Sequence, residues 1–250
     1  MSIIQTFDDK STEILKPDLI ANKLDGFPEI VIVVFSRMMI DIAKLFYKLK
    51  KISYMNAGVK IPVYKFKHKA KSFGLYMTLL GGPASVGLME EIIAKGARKI
   101  IVLGSCGVLD KHISAGNIIV PTAAYRDEGT SYHYMPAGDF VEVTTAKKLC
   151  EIFDEMKVPY ICGKTWTTDA FYRETTNNMK ARKKDGCISV EMECASLAAA
   201  SQFRKIELYQ FLYAMDSLDD DTWDPRTLGK ITKGIRGKYL RIAVEIACRL

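Results

Sequence analysis

Residues 188–200 read ISVEMECASLAAA, a short apolar run that passes into a series of small residues. The first part is typical of a buried strand and the second of a helix. Glu191 and Glu193 lie at the junction, and residues two apart in an extended segment point to the same side. Burying two carboxylates costs free energy, so the pair predicts a functional site. A solvated loop that caps the next helix is the simpler interpretation, and the apolar flanks argue against it.

Composition indicates one α/β domain over residues 1–250, because 48% of the residues are hydrophobic and such a chain can bury a sizeable core. Lys and Arg number 36 against 29 Asp and Glu, a net charge of +7 that is spread along the chain. No basic motif of a known nucleic-acid reader accompanies it. We therefore expect small anionic substrates, including phosphate, and no nucleic-acid partner.

Cysteine and histidine spacing points to a cytoplasmic protein without a metal site. The six cysteines are scattered without a Cys-x-x-Cys pair, which predicts reduced thiols, and the three histidines lack zinc-type spacing. No apolar run approaches membrane-spanning length, and the N-terminus has no signal-peptide core. We expect no membrane association.

Strand-like and helix-like segments alternate along the chain, with extra strands in the middle. That order predicts a mixed sheet flanked by helices on both sides. The predicted strands include residues 30–35, 63–69, 73–80, 99–103, 117–121, 158–163 and 207–215, and the predicted helices include residues 86–95, 145–156 and 226–250.

A glycine-rich turn is expected at residues 104–107, GSCG, directly after a buried strand. Glycines there let backbone amides approach an anion or a sugar closely, although a plain bend explains the residues equally well. The spacing does not fit a Walker loop, a dinucleotide fingerprint or a hydrolase elbow. Residues 125–134 are polar and aromatic, which is typical of a functional loop or a subunit contact.

Four motifs in this order resemble those of the nucleoside phosphorylase / uridine phosphorylase superfamily. They are GSCG at 104–107, TDAFY at 168–172, VEME at 190–193 and the strand-terminal Asp216. The resemblance runs from about residue 30 onward. It implies a single α/β domain with a central, partly barrel-like mixed sheet, and a homo-oligomer (dimer, trimer of dimers or hexamer) in which neighbours complete each site.

The resemblance also implies roles on the sugar and phosphate side. Met192 and Glu193 line the ribose, and Glu193 accepts hydrogen bonds from its 2′- and 3′-hydroxyls. Glu191, in the same motif, holds ribose or phosphate partners. Ser105 binds phosphate through its hydroxyl and amide.

On the base side, the resemblance implies that Phe171 stacks on the base and that Arg173 substitutes for the polar residues that recognise uracil. Asp216 takes the place of the acid that protonates the leaving base in purine-cleaving members. This favours a purine, whereas residues 126–134 are more like the uridine-cleaving branch.

The implied reaction is phosphate-dependent cleavage of a ribonucleoside to free base and ribose 1-phosphate. Breaking the C1′–N bond builds positive charge on the sugar and negative charge on the base. A carboxylate near the sugar and an acid near the base both favour that change. Phosphate is a co-substrate, and no metal or organic cofactor is implied.

The phosphate site departs from the family pattern. Phosphate-using members have an arginine where this chain has Val102, and Arg37 is displaced by about one position from the family's arginine turn. Arg37, Lys60 and Arg126 are candidates to supply the missing cation. The departure leaves two alternatives open, a nucleosidase of the same fold that uses water and a non-catalytic nucleoside-binding protein.

Overall fold

The computed structural model describes residues 2–220, 222–230 and 232–250. Within them, ten strands alternate with seven helices. The strands are β1 (Ile30–Val34), β2 (Lys50–Asn56), β3 (Lys60–His68), β4 (Lys71–Met77), β5 (Lys99–Val108), β6 (Ile118–Asp127), β7 (Phe140–Glu142), β8 (Ile161–Thr168), β9 (Cys187–Glu191) and β10 (Glu207–Ser217). The helices are α1 (Pro17–Ile20), α2 (Arg37–Phe46), α3 (Gly82–Lys95), α4 (Ala146–Glu155), α5 (Thr176–Lys184), α6 (Cys194–Phe203) and α7 (Lys233–Arg249).

Five strands close into a barrel. β5 pairs with β9, β9 with β8, β8 with β6, β6 with β10, and β10 pairs back with β5. Three of these pairings are parallel and two antiparallel, so the barrel is mixed. Closing the sheet in this way removes the unpaired edges that an open sheet of these strands would expose.

The sheet continues beyond the barrel on one side, from β5 through β1, β4 and β3 to β2. Helices cover it: α3 packs on α6, α2 packs on α7, and α4 packs against β6 and β10. The predicted α/β fold with a mixed, partly barrel-like sheet and flanking helices is therefore confirmed. Across the described residues, every helix is too short or too polar to cross a bilayer.

The predicted glycine-rich turn at residues 104–107 is wrong, because β5 continues through these residues to Val108. The glycines make room for neighbouring side chains. A Cβ at Gly104 would lie 3.2 Å from the ring of Phe35, and one at Gly107 would lie 2.5 Å from Leu218 and 3.1 Å from Val190. A larger residue at either position would require these neighbouring side chains to shift, so the glycines permit the close packing seen around β5.

Residues 125–134, predicted to form a loop, instead continue β6 to Asp127 and then form a short 3-10 helix over Thr130–His133. The last helix begins at Lys233 and not at residue 226, because the described residues 225–230 form turns. Ile231, inside that predicted helix, lies outside the described residues. The sequence did not predict strands β2 and β7 or helix α5.

The turn from β9 to α6 is organised by one buried carboxylate. Oε2 of Glu191 accepts the N–H groups of Glu193 at 2.8 Å and Cys194 at 2.6 Å, which are donors that the start of a helix leaves unpaired. Oε1 accepts the hydroxyl of Thr167 at 2.5 Å, and that hydroxyl accepts the N–H of Ala195 at 3.0 Å. Glu191 and Thr167 together therefore fix α6 to the end of β8.

We expect Thr167→Val to lower the free energy of unfolding by about 2–3 kcal/mol, because it leaves a buried carboxylate oxygen and a helix N–H without a partner. Thr167→Ser keeps the hydroxyl and should lose about 1 kcal/mol for one buried methyl group. Urea unfolding followed by circular dichroism measures both. Equal losses for the two variants would contradict the assigned role of the hydroxyl.

Candidate active site

The register of β5 with its two barrel neighbours brings the separate sequence motifs together. Gly107 pairs with Val190 on β9 and, on its other side, with Asp216 on β10. Oδ1 of Asp216 lies 3.5 Å from the position that a Cβ of Gly107 would take. Ser105 is exposed two residues earlier on the same strand. The motifs at 104–107 and 190–193 and the acid at the end of β10 thus meet around one glycine.

Glu193 lies buried at the turn into α6 and reaches a different element from Glu191. Its Oε1 accepts the N–H of Gly81 at 2.6 Å, in the turn between β4 and α3. The strand ends at Glu191, so the two carboxylates diverge and are not aligned as an extended segment predicts. Met192, between them, is half-buried.

Asp216 is half-buried near the end of β10 and has a partner that the sequence did not suggest. The indole N–H of Trp223 donates to Oδ2 of Asp216 at 2.8 Å. In the sequence, Trp223 follows an acidic segment that is typical of a loop. The isolated tryptophan is the only feature of that segment that could have indicated a partner for Asp216. Its ring is 58% exposed, so the Asp216 carboxyl group lies near the surface of the site and not in the core.

The segment after β8, which was predicted to contact the base, forms a 3-10 turn over Phe171–Arg173. Phe171 is 46% exposed, its ring centre lies 4.1 Å from that of Tyr172, and Arg173 is also exposed. Glu174 is the residue that directly follows this turn. Sequence reasoning named Arg173 and missed Glu174, which is half-buried.

Glu174 faces Asp216 closely enough to respond to its charge. Burial, and then the Asp216 carboxylate, raise the pKa of Glu174 to about 7. The site therefore holds a carboxyl group that exchanges its proton near neutral pH beside Asp216, an arrangement that suits proton transfer.

The three basic residues predicted as candidates for binding phosphate lie in different parts of the structure. Arg37 begins α2, three residues after β1, and forms a 3.8 Å ion pair with Asp41 while its side chain stays 78% exposed. Because β1 pairs with β5, Arg37 lies at the same edge of the sheet as Ser105. Lys60 begins β3, which is three strands away from β5. Val102 is buried in β5.

Arg126 is committed to the fold. Its Nε donates to the hydroxyl of Ser131 at 2.7 Å, and its two terminal nitrogens donate to the carbonyls of Pro136 at 2.6 Å and Met135 at 3.2 Å. The guanidinium also stacks 3.9 Å from the ring centre of Tyr132. This buried arginine organises residues 130–138 through four hydrogen bonds to protein groups.

The sugar side is rich in buried acids that retain protons. Burial raises the pKa of Glu191 to about 7, although hydrogen bonds from Thr167 and two amides oppose the rise. Burial, and then the neighbouring Glu191, raise the pKa of Glu193 to about 8. No grouping of acids, histidines and cysteines among the described residues has the arrangement of a metal site.

The raised pKa values of these acids set the sign of a pH effect on stability. In the unfolded chain the carboxyl groups ionise near 4.5, whereas in the folded chain Glu191 and Glu193 hold protons to about 7 and 8. Between those pH values the folded state binds more protons than the unfolded state. We therefore expect the urea midpoint of the ligand-free protein to fall as the pH rises from 5 to 8.5, in a buffer series of constant ionic strength.

Glu193→Gln should flatten that slope, because glutamine does not titrate. The matched control is Glu29→Gln, which changes an exposed glutamate outside the site and should leave the slope as it is. A midpoint that rises with pH over this range, or an unchanged slope in Glu193→Gln, would contradict the assignment.

Relatives whose names state an activity match parts of the chain. A uridine phosphorylase of Thermococcus kodakarensis is 38% identical over 110 residues, which are 42% of this chain and 39% of that protein. A DeoD-type purine nucleoside phosphorylase of Buchnera aphidicola is 27% identical over 183 residues, 69% of this chain and 66% of that protein. The matched region spans from about two fifths to just under two thirds of the length of the curated relatives.

A solved structure shares the fold over most of both chains. The crystal structure of purine nucleoside phosphorylase from Toxoplasma gondii in complex with immucillin-H superposes with a TM-score of 0.73 at 20% identity, covering 88% of this chain and 89% of that one. Residues 29–237 match the sequence profile described as the phosphorylase superfamily. Because this match includes every strand of the described residues and all of their helices except α1 and most of α7, the chain belongs to the phosphorylase superfamily.

Proposed function

We propose that this protein is a purine nucleoside phosphorylase, which cleaves a purine ribonucleoside with inorganic phosphate to give free base and ribose 1-phosphate. The observation that carries the proposal is the register around Gly107, which brings Val190 and the following glutamates, Ser105 and Asp216 to one place. The relatives named above include both purine and uridine phosphorylases, so the choice of base rests on the acids of this chain.

On the sugar side, Glu193 is the proposed acceptor for the 2′- and 3′-hydroxyls. Its Oε1 accepts the N–H of Gly81, which holds the carboxyl group in place at the start of α6. Met192 would lie along the ribose. Glu191 has both oxygens engaged by Thr167 and the start of α6, so we assign it a positioning role in place of direct ribose contact.

On the base side, Phe171 provides a ring for stacking and Asp216 is the proposed acid. As the C1′–N bond breaks, its electrons move to the base, and protonation of a ring nitrogen makes the base a better leaving group. Glu174, whose pKa is raised to about 7 by burial and by the Asp216 carboxylate, exchanges its proton near neutral pH and is the proposed group that returns a proton to Asp216 between turnovers. A uracil leaving group has less need of this pair of acids, which is why we favour a purine.

On the phosphate side, Ser105 and Arg37 are the proposed ligands, and a phosphate oxygen attacks C1′ from the face opposite the base. Inorganic phosphate is the only co-substrate that this reaction needs. Hydrolysis by water is the second candidate, because the buried Val102 brings no charge to a site where a charge-assisted hydrogen bond is about twice as strong as a neutral one.

Base release from inosine, adenosine and uridine, each with and without phosphate, tests the proposal. We expect phosphate-dependent release of the purine bases, faster than uracil by at least about tenfold, which is 1.4 kcal/mol in the barrier. Release that ignores phosphate would establish the nucleosidase instead. Nucleoside binding by calorimetry without release from any substrate would favour a binding protein.

The variant Asp216→Asn connects the assay to the site. Asparagine keeps an acceptor for Trp223 and cannot donate an acidic proton, so kcat should fall about 10²–10⁴-fold with little change in KM. Asp25→Asn, an exposed aspartate in a turn, is the matched control and should retain full activity. A KM effect without a kcat effect would remove Asp216 from the proton-transfer role.

We also propose that the protein is a homo-oligomer. A cleft of about 490 Å³ lies between the N-terminal segment and α3, and its wall includes the exposed apolar side chains of Leu15 and Ile20. The same helix begins at Gly82, next to the amide that binds Glu193, so a second copy seated there would approach the sugar side. Sedimentation equilibrium should give a multiple of 28.1 kDa, and a monomer at micromolar concentration would contradict the proposal.

A further inference from the structure

Two cysteines from different elements lie in contact on the outer surface, away from the candidate active site. The Sγ atoms of Cys150 on α4 and Cys162 on β8 are 3.0 Å apart. Cys150 is half-buried and Cys162 is exposed, so a small reagent in solvent can reach the pair. The sequence gave no sign of this pair, because the residues are twelve apart and lack Cys-x-x-Cys spacing.

The chain between the two cysteines is held firmly. The N–H of Val158 donates to the carbonyl of Phe153 at 3.0 Å, and the N–H of Lys157 donates to the carbonyl of Asp154 at 3.0 Å. The hydroxyl of Tyr160 donates to Oδ1 of Asp154 at 3.0 Å, and its ring stacks on Phe153 with centroids 5.5 Å apart. These contacts hold the segment between α4 and β8 in one conformation, which keeps the two thiols close together. Forming a bond between them therefore requires little further loss of conformational freedom.

The other cysteines do not offer the same arrangement. Cys106, Cys187 and Cys194 are buried, and Cys248 lies near the end of α7. Burial, and then the hydrogen bond with Cys150, raise the pKa of the Cys162 thiol to about 12. The thiolate is the reactive form, so exchange at this site should be slow near pH 7 and faster in mild base.

We propose that Cys150 and Cys162 form a thiol–disulfide exchange site that reacts with low-molecular-weight disulfides and closes an intramolecular disulfide between α4 and β8. One cysteine thiolate attacks a sulfur of the reagent, which gives a mixed disulfide and releases one thiol. The second cysteine thiolate then attacks the cysteine sulfur of that mixed disulfide and releases the second thiol. The two cysteines lose two protons and two electrons, and the reagent disulfide is reduced to two thiols.

Closing this bond should stabilise the fold. Joining residues twelve apart restricts the unfolded chain, and for a loop of this size the expected rise in the thermal midpoint is roughly 5–10 °C. The effect is independent of nucleoside cleavage, so the site is tested without an activity assay.

The experiment treats the full chain with glutathione disulfide at pH 8.5 and analyses it by intact mass and by peptide mapping. We expect loss of two hydrogens, a peptide that links Cys150 to Cys162, and the higher thermal midpoint, all reversed by dithiothreitol. Cys150→Ser and Cys162→Ser should each stop at a mixed disulfide with glutathione, or stay unmodified, without the rise. Cys248→Ser should behave as the unaltered protein.

Three results would overturn the proposal. They are a stable mixed disulfide on the unaltered protein without closure, a link that involves a different cysteine or a second chain, and closure that persists in Cys162→Ser. Because Cys162 is exposed, its serine variant should fold, and its thermal midpoint in reductant should match that of the unaltered protein within about 2 °C.

Discussion

The carboxylate of Glu191, buried at the start of α6, is the constraint on which the rest of the site depends. Burying a carboxyl group is unfavourable, and this one is stabilised by hydrogen bonds with two helix N–H groups and the hydroxyl of Thr167. Those bonds fix the direction in which the chain leaves β9. They thereby place Glu193 against the amide of Gly81 and connect the barrel to the turn before α3. A residue that reads as part of a ligand site is thus also the residue that shapes it.

The close packing of β5 explains how distant motifs meet. β5 has neighbours on both sides in the barrel, and at Gly107 those neighbours are Val190 and Asp216. A Cβ at this position would lie 2.5 Å from Leu218 and 3.1 Å from Val190, so glycine allows these side chains to pack closely over β5. The site is assembled by strand register, which sets the positions of rigid elements more firmly than a flexible glycine loop does.

The parts of the fold that the sequence predicts are those with a strong pattern. The continuous apolar run at residues 30–34 and the strand-to-helix passage at 188–200 appear as expected, because buried strands and small-residue helices leave clear signals. The edge strand β2 carries exposed lysines, and α5 buries only Met179, so neither has an apolar pattern to detect. These elements are recognisable only from their place in the sheet.

Within the site, residue types were predictable and their directions were not. The motifs name Glu193, Phe171 and Asp216 as candidates, and β5 pairs with both β9, which leads to Glu193, and β10, which carries Asp216. Whether residue 173 or 174 turns inward depends on a 3-10 turn, which sequence periodicity does not reveal. Likewise, the burial of Arg126 depends on carbonyls of residues 135–138 that become acceptors only after folding.

The protonation of the buried acids bears on how an anion is accepted without the strand arginine. Two negative charges 4 Å apart repel by about 4 kcal/mol at an effective dielectric constant of 20, so ionised carboxylates beside a phosphate would oppose binding strongly. Burial raises the pKa of Glu191, Glu193 and Glu174 to values between about 7 and 8, so much of this charge is absent near neutral pH. At the proposed phosphate site, acids that are partly protonated oppose an anion less strongly, and this is our argument for Arg37, an exposed cation, as the proposed phosphate partner in place of an arginine at position 102.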